Sequence, residues 1–428
     1  MRFQSLFAAA LALGAALAAA ATAQPIAIVN ARLMTAGPEG EIARGILVMD
    51  GGRILAVGDE RTAIPAGARR IDAGGAPVTP GFIAPRTLLG LVEVSSVEGT
   101  TDGRSDDPEL SAAFEAQQGL NPRSALIPAA RLGGITRALV APDYDDGAPD
   151  GPPRLFAGQA ALISLDPAKG LDVRPRVAMV LDLGEEGAAR AGGARGVELT
   201  ALRAALDDVR FYLAHRAAYD RGETRTLALS RGDLQALAAV VEGRQPLLVS
   251  VSRESDIRDA LALAKAYRLK LILSGAEEGW RLADEIARAG VPVILNPTAN
   301  LPTRFETLGA DLRNAARLRA AGVEIAILGG DGAHRVREMR YFAGIAVARG
   351  LPYDQALQAL TLGPARIFGV SDRLGSLSAG KLADVVIWSG DPFQPMSQPR
   401  AVFIAGAEQP LTSRGQALRD RYMAGDRP

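Results

Sequence analysis

The chain has 428 residues, and its 48 Lys and Arg balance its 48 Asp and Glu, so its formal net charge is zero. Balanced charge and an aromatic content of only 5% argue against nucleic acid or an anionic membrane as a partner. Cysteine is absent, so disulfide bonds are excluded and stability depends on the core. The two histidines, His215 and His334, are too few for a zinc or iron site built on several imidazoles.

The first 23 residues have the pattern of a secretory signal peptide. Arg2 supplies the positive charge, an apolar stretch covers residues 6–21, and Ala21-Thr22-Ala23 gives a small-x-small cleavage pattern before Gln24. A membrane-anchoring helix is the less favoured alternative, because strong polar flanks are missing. No later segment offers the ~18 uninterrupted apolar residues of a membrane span. We therefore expect a mature protein that is exported to the periplasm.

Both ends of the remaining chain have the sequence pattern of short β-strands joined by turns. Asp50-Gly51-Gly52 predicts a hairpin turn between the apolar runs 45–49 and 53–57. Near the other end, strands are predicted at residues 383–388 and 401–404. These segments predict a small composite β-sandwich made from residues 24–76 and 373–410, followed by a polar tail at 411–428.

The middle of the chain, residues 77–372, alternates apolar runs with amphipathic helices. Strands are predicted at 135–140, 176–181, 247–251, 269–273, 291–295 and 324–328, with helices at 255–267, 279–289 and 312–320 between the later ones. This alternation predicts an α/β fold, and the number of units favours a (β/α)8 TIM-type barrel over an open doubly wound sheet. No GxGxxG motif supports a dinucleotide fold.

Four segments resemble the amidohydrolase superfamily, and in particular its secreted imidazolonepropionase-like branch. VTPGFI at residues 78–83 resembles the entry into the first barrel strand of that family. DRLGSL at 372–377 and GKLADVV at 380–386 resemble its C-terminal signature, and LTLGPA at 360–365 resembles the helix before it. Together these matches extend from about residue 26 to about residue 405.

The resemblance implies a hydrolase of carbon–nitrogen bonds that uses zinc or another divalent metal. Active members hold the metal with an His-x-His pair on the first strand, with histidines from the fifth and sixth strands, and with a carboxylate from the eighth. The metal lowers the pKa of bound water and polarises the substrate carbonyl.

This chain departs from that pattern at most of the ligand positions. Arg86 and Leu88, on either side of Thr87, replace the first histidine pair, and neither side chain offers a lone pair to a metal. Ser250 and Ser252 stand at the fifth strand, and Ser274 stands at the sixth. We therefore predict a barrel-mouth pocket that contains these residues and holds no metal or other cofactor.

Asp331 is the exception, because it follows the last barrel strand where the resemblance implies the catalytic carboxylate. His334 lies three residues later, so the two could form a residual half-site for water or a weakly held metal. We favour a structural role for Asp331, either in holding its loop or in an ion pair with Arg86 that replaces the charge of the metal.

Two further features are predicted to be ordinary surface. His215 projects from the polar side of a helix whose stripe of Leu202, Leu206, Val209 and Leu213 packs in the core. The acidic loop that begins at Asp143 is predicted to be solvated.

These observations leave three hypotheses for function. The leading one is an amidohydrolase-like protein that has lost metal-dependent hydrolysis and binds a small ligand or pairs with an active relative, as a homo-oligomer or hetero-oligomer. The second is an active hydrolase of cyclic amides or dipeptide-like substrates, with Asp331 as general base and Arg86 and the serines stabilising an oxyanion. The third is a purely structural subunit.

Overall fold

The structure is a computed structural model that describes residues 24–105, 107, 109–144, 154–299, 301–330 and 332–424. The expected signal peptide, Asp331 and most of the acidic loop after Asp143 lie outside the described residues.

The described residues form two eight-stranded sheets. In chain order the strands are β1 (Ile26–Met34), β2 (Glu41–Asp50), β3 (Arg53–Asp59), β4 (Arg69–Asp72), β5 (Pro77–Pro80), β6 (Phe82–Thr87), β7 (Ile135–Val140), β8 (Phe156–Ser164), β9 (Arg174–Asp182), β10 (Leu247–Val251), β11 (Leu271–Gly275), β12 (Val293–Leu295), β13 (Ile325–Ile327), β14 (Val385–Trp388), β15 (Pro399–Ile404) and β16 (Ala407–Glu408).

The helices lie mainly between the later strands. They are α1 (Leu126–Arg131), α2 (Glu185–Arg190), α3 (Arg195–Ala214), α4 (Arg216–Asp220), α5 (Arg231–Val241), α6 (Glu254–Tyr267), α7 (Ala283–Arg288), α8 (Asn314–Ala320), α9 (Met339–Ala348), α10 (Tyr353–Leu360), α11 (Leu362–Ile367) and α12 (Arg414–Met423). Short 3-10 helices cover Glu98–Thr100, Ala116–Gly119, Pro167–Lys169, Gly279–Leu282, Phe305–Thr307 and Ala333–Glu338. Within the described ranges, no helix is both long and apolar enough to cross a membrane.

The first sheet joins the two ends of the chain. Its strand order is β16-β15-β14-β5-β1-β2-β3, and β4 pairs in addition with β1. The predicted hairpin is present as β2 and β3, and its turn places Gly51 and Gly52 at φ of 54° and 81°, a region that suits glycine. The strands form one sheet, so the predicted sandwich of two sheets is not confirmed. Because β5 belongs to this sheet, the barrel strands begin at Phe82 rather than at residue 77.

The second sheet is a nearly closed barrel with the order β13-β12-β11-β10-β9-β8-β7-β6, and β13 comes back beside β6. The pairings from β9 to β13 are all parallel, as the alternation of strands and helices predicts. The fold class is therefore mixed α/β and consistent with a TIM-like barrel.

One strand departs from the regular (β/α)8 pattern. β8 runs antiparallel to both β7 and β9, so no crossover helix is needed on either side of it. The sequence gives β8 no alternating pattern, because all nine of its residues are buried. The expectation of eight parallel strands was wrong at this position.

Alternate residues of the barrel strands face two different cores. Val180, Leu248, Ile272 and Ile294 belong to an interior cluster that Phe368 and Leu374 close at one end. The residues on either side of them, such as Val249 and Leu273, belong instead to the large cluster against the helices. These four interior residues form one layer inside the barrel. On each strand, the side chain two residues further along the chain therefore also faces the inside of the barrel, at its open end.

Candidate functional site

Four polar side chains meet at the carboxyl ends of the barrel strands. Asp182, Ser250 and Ser274 each lie two residues after a member of the interior layer, so they face the barrel mouth. Ser250 is paired in register with Asp182 on one side and with Ser274 on the other. Arg86 joins them from β6, whose register with β7 shifts between Ala84 and Thr87. The carboxyl ends of barrel strands are where sites form in this architecture.

Arg86 spans the mouth and is held at three points. Its Nη1 donates a hydrogen bond to Ser250 Oγ at 2.7 Å and a longer one to Ser274 Oγ at 3.5 Å. Its Nη2 lies 3.7 Å from the Asp143 carboxylate, which is half exposed, whereas the Arg86 side chain is only 20% exposed. The guanidinium is therefore held by the neutral hydroxyls of Ser250 and Ser274 inside the barrel and by a longer contact with the Asp143 carboxylate at the rim.

A cavity of about 280 Å³ opens beside this arginine. It is small and combines one cation with apolar walls and glycine-rich backbone. Its lining residues are Arg86, Thr87, Leu88, Ala141, Asp143, Leu328, Gly329, Gly330, Gly332, Ala333 and Val336. The space suits a small molecule that carries one acidic group, because the only fixed cation in this lining is the Arg86 guanidinium.

Asp182 sits at the end of β9 in a network with Arg190 and Tyr144. Arg190 Nη2 donates to Asp182 Oδ2 at 2.8 Å, and its guanidinium stacks 3.8 Å from the centre of the Tyr144 ring. The Tyr144 hydroxyl donates to the Leu155 carbonyl at 2.8 Å. Desolvation, followed by the nearby Asp182 carboxylate, raises the pKa of Tyr144 well above its usual value. Tyr144 is therefore a neutral hydrogen-bond donor next to the site.

Glu198 lies behind Asp182 and is only 2% exposed. Its Oε2 accepts a hydrogen bond from the Gly184 N–H at 3.3 Å, whereas its Oε1 and Asp182 Oδ1 have no hydrogen-bond partner among the described residues. Burial raises the pKa of the Glu198 carboxyl to about 7. Glu198 is thus the titratable group next to the site whose charge changes near neutral pH.

A second charged network covers the far rim of the mouth. Arg195 donates to Asp256 at 3.0 Å and also bridges to Glu306, and both carboxylates are buried. Ser252 lies beside Glu277, and burial raises the pKa of that carboxyl. Ser252 therefore belongs to this rim network, and Ser250 belongs to the arginine site.

The predicted pocket residues are divided by these contacts. Arg86, Ser250 and Ser274 come together, and Thr87 and Leu88 line the cavity beside them. His334 is exposed on the 3-10 helix Ala333–Glu338 with its ring next to Gly332, which lines the cavity, so its role in the pocket stays a prediction. Asp331 lies outside the described residues, so its pairing with Arg86 stays a prediction. His215 is exposed as predicted and stacks on Phe211.

Three site residues were missed from the sequence, namely Asp143, Tyr144 and Asp182. Asp182 carries a signal that could have been used, because a carboxylate there directly follows the apolar run that forms a buried strand. Asp143 and Tyr144 lie in a loop, where no periodic pattern indicates which residues turn inward.

Among the described residues, the donor set at the mouth does not fit a divalent metal. The positions where the resemblance implies imidazole carry a guanidinium, a hydrocarbon and two hydroxyls, and the guanidinium cation itself lies among them. Across the part of the chain that the structure describes, no three His, Cys, Asp or Glu side chains are grouped so that they could hold a metal ion.

Residues 252–412 match the model of the Amidohydrolase family. This match covers less than half of the chain and includes β11 to β16. The whole barrel and the terminal sheet resemble an amidohydrolase from Thermotoga maritima, with a TM-score of 0.78 and 24% identity over 91% of this chain and 100% of that one. At this identity the likeness shows the fold alone.

Two curated relatives match shorter stretches. A 5-methylthioadenosine/S-adenosylhomocysteine deaminase of Desulforudis audaxviator is 40% identical over 114 residues, which are 24% of this chain and 25% of that protein. An imidazolonepropionase of Micrococcus luteus is 34% identical over 116 residues, which are 26% of this chain and 28% of that protein. The chain thus spans only about a quarter of the length of each of these relatives.

Proposed function

We propose that this protein binds a small carboxylate at the barrel mouth through Arg86 and does not carry out metal-dependent hydrolysis. One observation carries the proposal, namely the Arg86 guanidinium fixed by Ser250 and Ser274 beside a cavity of about 280 Å³. A charged arginine among the family's ligand positions repels a divalent cation and attracts an anion.

The remaining contacts of Arg86 favour an anionic ligand that enters from solvent. Asp143 is half exposed and lies 3.7 Å from Nη2, so a ligand carboxylate at the rim can replace it. Arg–carboxylate hydrogen bonds are short and charge-assisted, and a bidentate ligand would use Nη2 more fully than Asp143 does. Leu88, Leu328 and Val336 then offer apolar contacts to the body of the ligand.

The rival proposal is a metal-independent hydrolase of carbon–nitrogen bonds, such as those of cyclic amides or dipeptide-like substrates. Gly330 and Gly332, the sequence neighbours of Asp331, both line the cavity, and this placement favours a role for Asp331 as general base on water. Arg86 would then stabilise the developing oxyanion. The match to a deaminase supports hydrolytic chemistry, and the match to an imidazolonepropionase supports the imidazolonepropionase-like branch.

Calorimetric titration with benzoate tests the leading proposal, with neutral benzamide as the matched control. We expect benzoate binding that Arg86→Gln abolishes and that Asp143→Asn strengthens severalfold, because the competing anion is removed. Equal binding of benzoate to the wild type and to Arg86→Gln would contradict the proposal.

Metal analysis and a hydrolysis assay distinguish the rival proposal from the leading one. We expect no tightly bound zinc or iron, and no turnover of hydantoin or a dipeptide above the level of an Asp331→Asn variant. Turnover that is lost in Asp331→Asn would favour the hydrolase. About one tightly bound metal ion per chain would contradict the leading proposal.

Export and assembly are further parts of the proposal. The segment at residues 1–23 supports export to the periplasm, which fractionation of cells expressing the full chain would test. Size-exclusion chromatography after co-expression with a histidine-bearing paralogue tests the hetero-oligomer and the structural-subunit hypothesis. A stable complex is expected only if the chain acts through a partner.

A further inference from the structure

A second cavity lies at the opposite end of the barrel from Arg86. It measures about 580 Å³ and is bordered by the segments that precede or begin β9, β10, β11 and β12. The amino ends of parallel strands meet at the same end of a barrel, so this cavity is separate from the mouth. We call it the lower trough, defined by Arg174, Arg176, Arg244, Lys270, Arg366 and Phe368.

The lower trough is strongly cationic. Five of its lining residues are Arg or Lys, and none of its lining residues is Asp or Glu. Three of the cations have carboxylate partners outside the trough, because Arg176 pairs with Glu115, Arg244 with Glu242, and Arg366 with Glu324 at 3.1 Å.

The other two cations are not neutralised in this way. Arg174 donates only a 3.3 Å hydrogen bond to the Gly369 carbonyl, and neither it nor Lys270 has a carboxylate within ion-pair distance among the described residues. Both side chains are exposed at the edge of the trough. A ligand with two negative charges would therefore meet two cations whose charge is unopposed.

The floor of the trough is apolar. Val177, Leu271, Ile272 and Phe368 line it, and each is less than a tenth exposed. Phe368 also belongs to the interior cluster that closes this end of the barrel, so the floor is rigid core. Cations around an apolar floor suit an anion attached to a hydrophobic body better than a bare inorganic ion.

The backbone at the edge is held in an unusual conformation. Arg176 has φ of 53°, in the left-handed region that an arginine rarely adopts. The buried Gln245 side chain stabilises this conformation by donating to the Arg176 carbonyl at 3.0 Å. This irregularity within β9 lies where the β8–β9 register shifts, and it places Arg174 and Arg176 on the same edge of the trough.

We propose that the lower trough is a second ligand site, for an organic phosphate monoester or comparable dianion with an apolar body. It is independent of the carboxylate site at Arg86. The two unopposed cations supply charge recognition, and the Phe368 floor supplies the contact with the body of the ligand.

Phenyl phosphate is a suitable probe because it combines a dianion with one ring. In calorimetric titrations of the full chain we expect phenyl phosphate to bind and benzyl alcohol not to bind, with inorganic phosphate at least tenfold weaker than phenyl phosphate. Affinity should fall as NaCl is raised, because exposed charges are screened.

Variants then locate the binding. Arg174→Gln/Lys270→Gln should weaken phenyl phosphate at least tenfold, and Lys270→Gln alone should weaken it severalfold. Arg349→Gln/Arg400→Gln, which neutralises two exposed cations outside the trough, should leave affinity unchanged. Unchanged melting temperatures would show that both double variants fold.

Arg86→Gln separates this inference from the proposed function. Phenyl phosphate binding that survives Arg86→Gln and is lost in Arg174→Gln/Lys270→Gln supports the lower trough. Absence of binding to the wild type, or binding lost only in Arg86→Gln, would overturn the trough and leave the test with benzoate unaffected.

Discussion

Arg86 Nη1 lies 2.7 Å from Ser250 Oγ, and this hydrogen bond links the end of β6 to the end of β10 across the barrel mouth. The Ser250 carbonyl in turn accepts a hydrogen bond from the Leu183 N–H at 2.8 Å, just beyond β9. One serine therefore connects three strand ends, and the guanidinium occupies the region where the family resemblance implies a metal.

Replacing Ser250 by alanine should cost about 1 kcal/mol of unfolding free energy. The loss is modest because Arg86 is 20% exposed and keeps its contact with Asp143, so water and the carboxylate compensate part of the missing bond. Urea unfolding monitored by circular dichroism measures it. Ser274→Ala is the matched control, because its hydroxyl lies 3.5 Å from Nη1 and its removal should cost less. A larger loss for Ser274→Ala than for Ser250→Ala would show that Arg86 is anchored elsewhere.

The later half of the barrel was predictable because its pattern is regular. The run at residues 247–251 predicted β10 without error, and the strand predicted at 269–273 is observed two residues later at Leu271–Gly275. Ser250 and Ser274 were assigned to one site from the family resemblance, and the parallel pairing of β10 with β11 places them side by side.

The rest depended on contacts that a one-dimensional pattern does not contain. β8 includes Gly158 and three alanines, which have weak strand preference, and its antiparallel direction arises from its partners. Asp143 was predicted as a solvated loop residue, yet the fold brings it within 3.7 Å of Arg86. His334 was assigned to the pocket by its position in the chain, and it lies exposed on the 3-10 helix with its ring next to Gly332.

The barrel and the terminal sheet are joined by a buried ion pair that should be costly to break. Arg137 of β7 donates to both Asp384 oxygens, at 2.7 and 3.1 Å, and both side chains are nearly buried. Arg137→Met should lower the unfolding free energy by about 3–5 kcal/mol, because it leaves a buried carboxylate unpaired. Thermal and urea unfolding measure the loss.

A double variant checks that the cause is the unpaired charge. Arg137→Met/Asp384→Leu should be more stable than Arg137→Met, although the Ala405 N–H then loses its bond to Asp384. Arg32→Met is the exposed control, because Arg32 pairs with Glu41 and both are about half exposed. Its loss should stay below about 1 kcal/mol. Equal losses for Arg32→Met and Arg137→Met would contradict the role of burial.

Gly187 on α2 should not tolerate a methyl group. An added Cβ there would meet the Glu198 Oε1 and the Asp182 carbonyl oxygen, and would lie 2.9 Å from the Asp182 carbonyl carbon. Backbone atoms of a barrel strand move little, so Gly187→Ala should destabilise the protein by about 1–3 kcal/mol. Gly196→Ala is the control, since nothing lies within 4 Å of its added methyl, and it should be neutral or slightly stabilising. Urea unfolding that ranks the two variants in the opposite order would disprove the crowding.

Glu198 should make stability depend on pH near neutrality. Its carboxyl has an ordinary pKa of 4.5, which burial raises to about 7 in the folded protein. Below pH 4.5 the group is protonated in both the folded and the unfolded state. Between 4.5 and about 7 only the folded state keeps the proton, so the unfolding free energy falls as pH rises through this window.

Glu198→Gln removes this titration and should flatten the dependence between pH 4.5 and 7. Relative to the wild type, the variant should gain stability on going from pH 4 to pH 8, by at most about 3 kcal/mol, because the wild type alone must bury a charge at the higher pH. Urea unfolding at several pH values measures the difference, and Glu223→Gln, a fully exposed glutamate, is the control that should show no gain of this size. If the difference in unfolding free energy between wild type and Glu198→Gln stays constant from pH 4 to pH 8, the prediction is wrong. The folded state would then not raise the pKa of the Glu198 carboxyl.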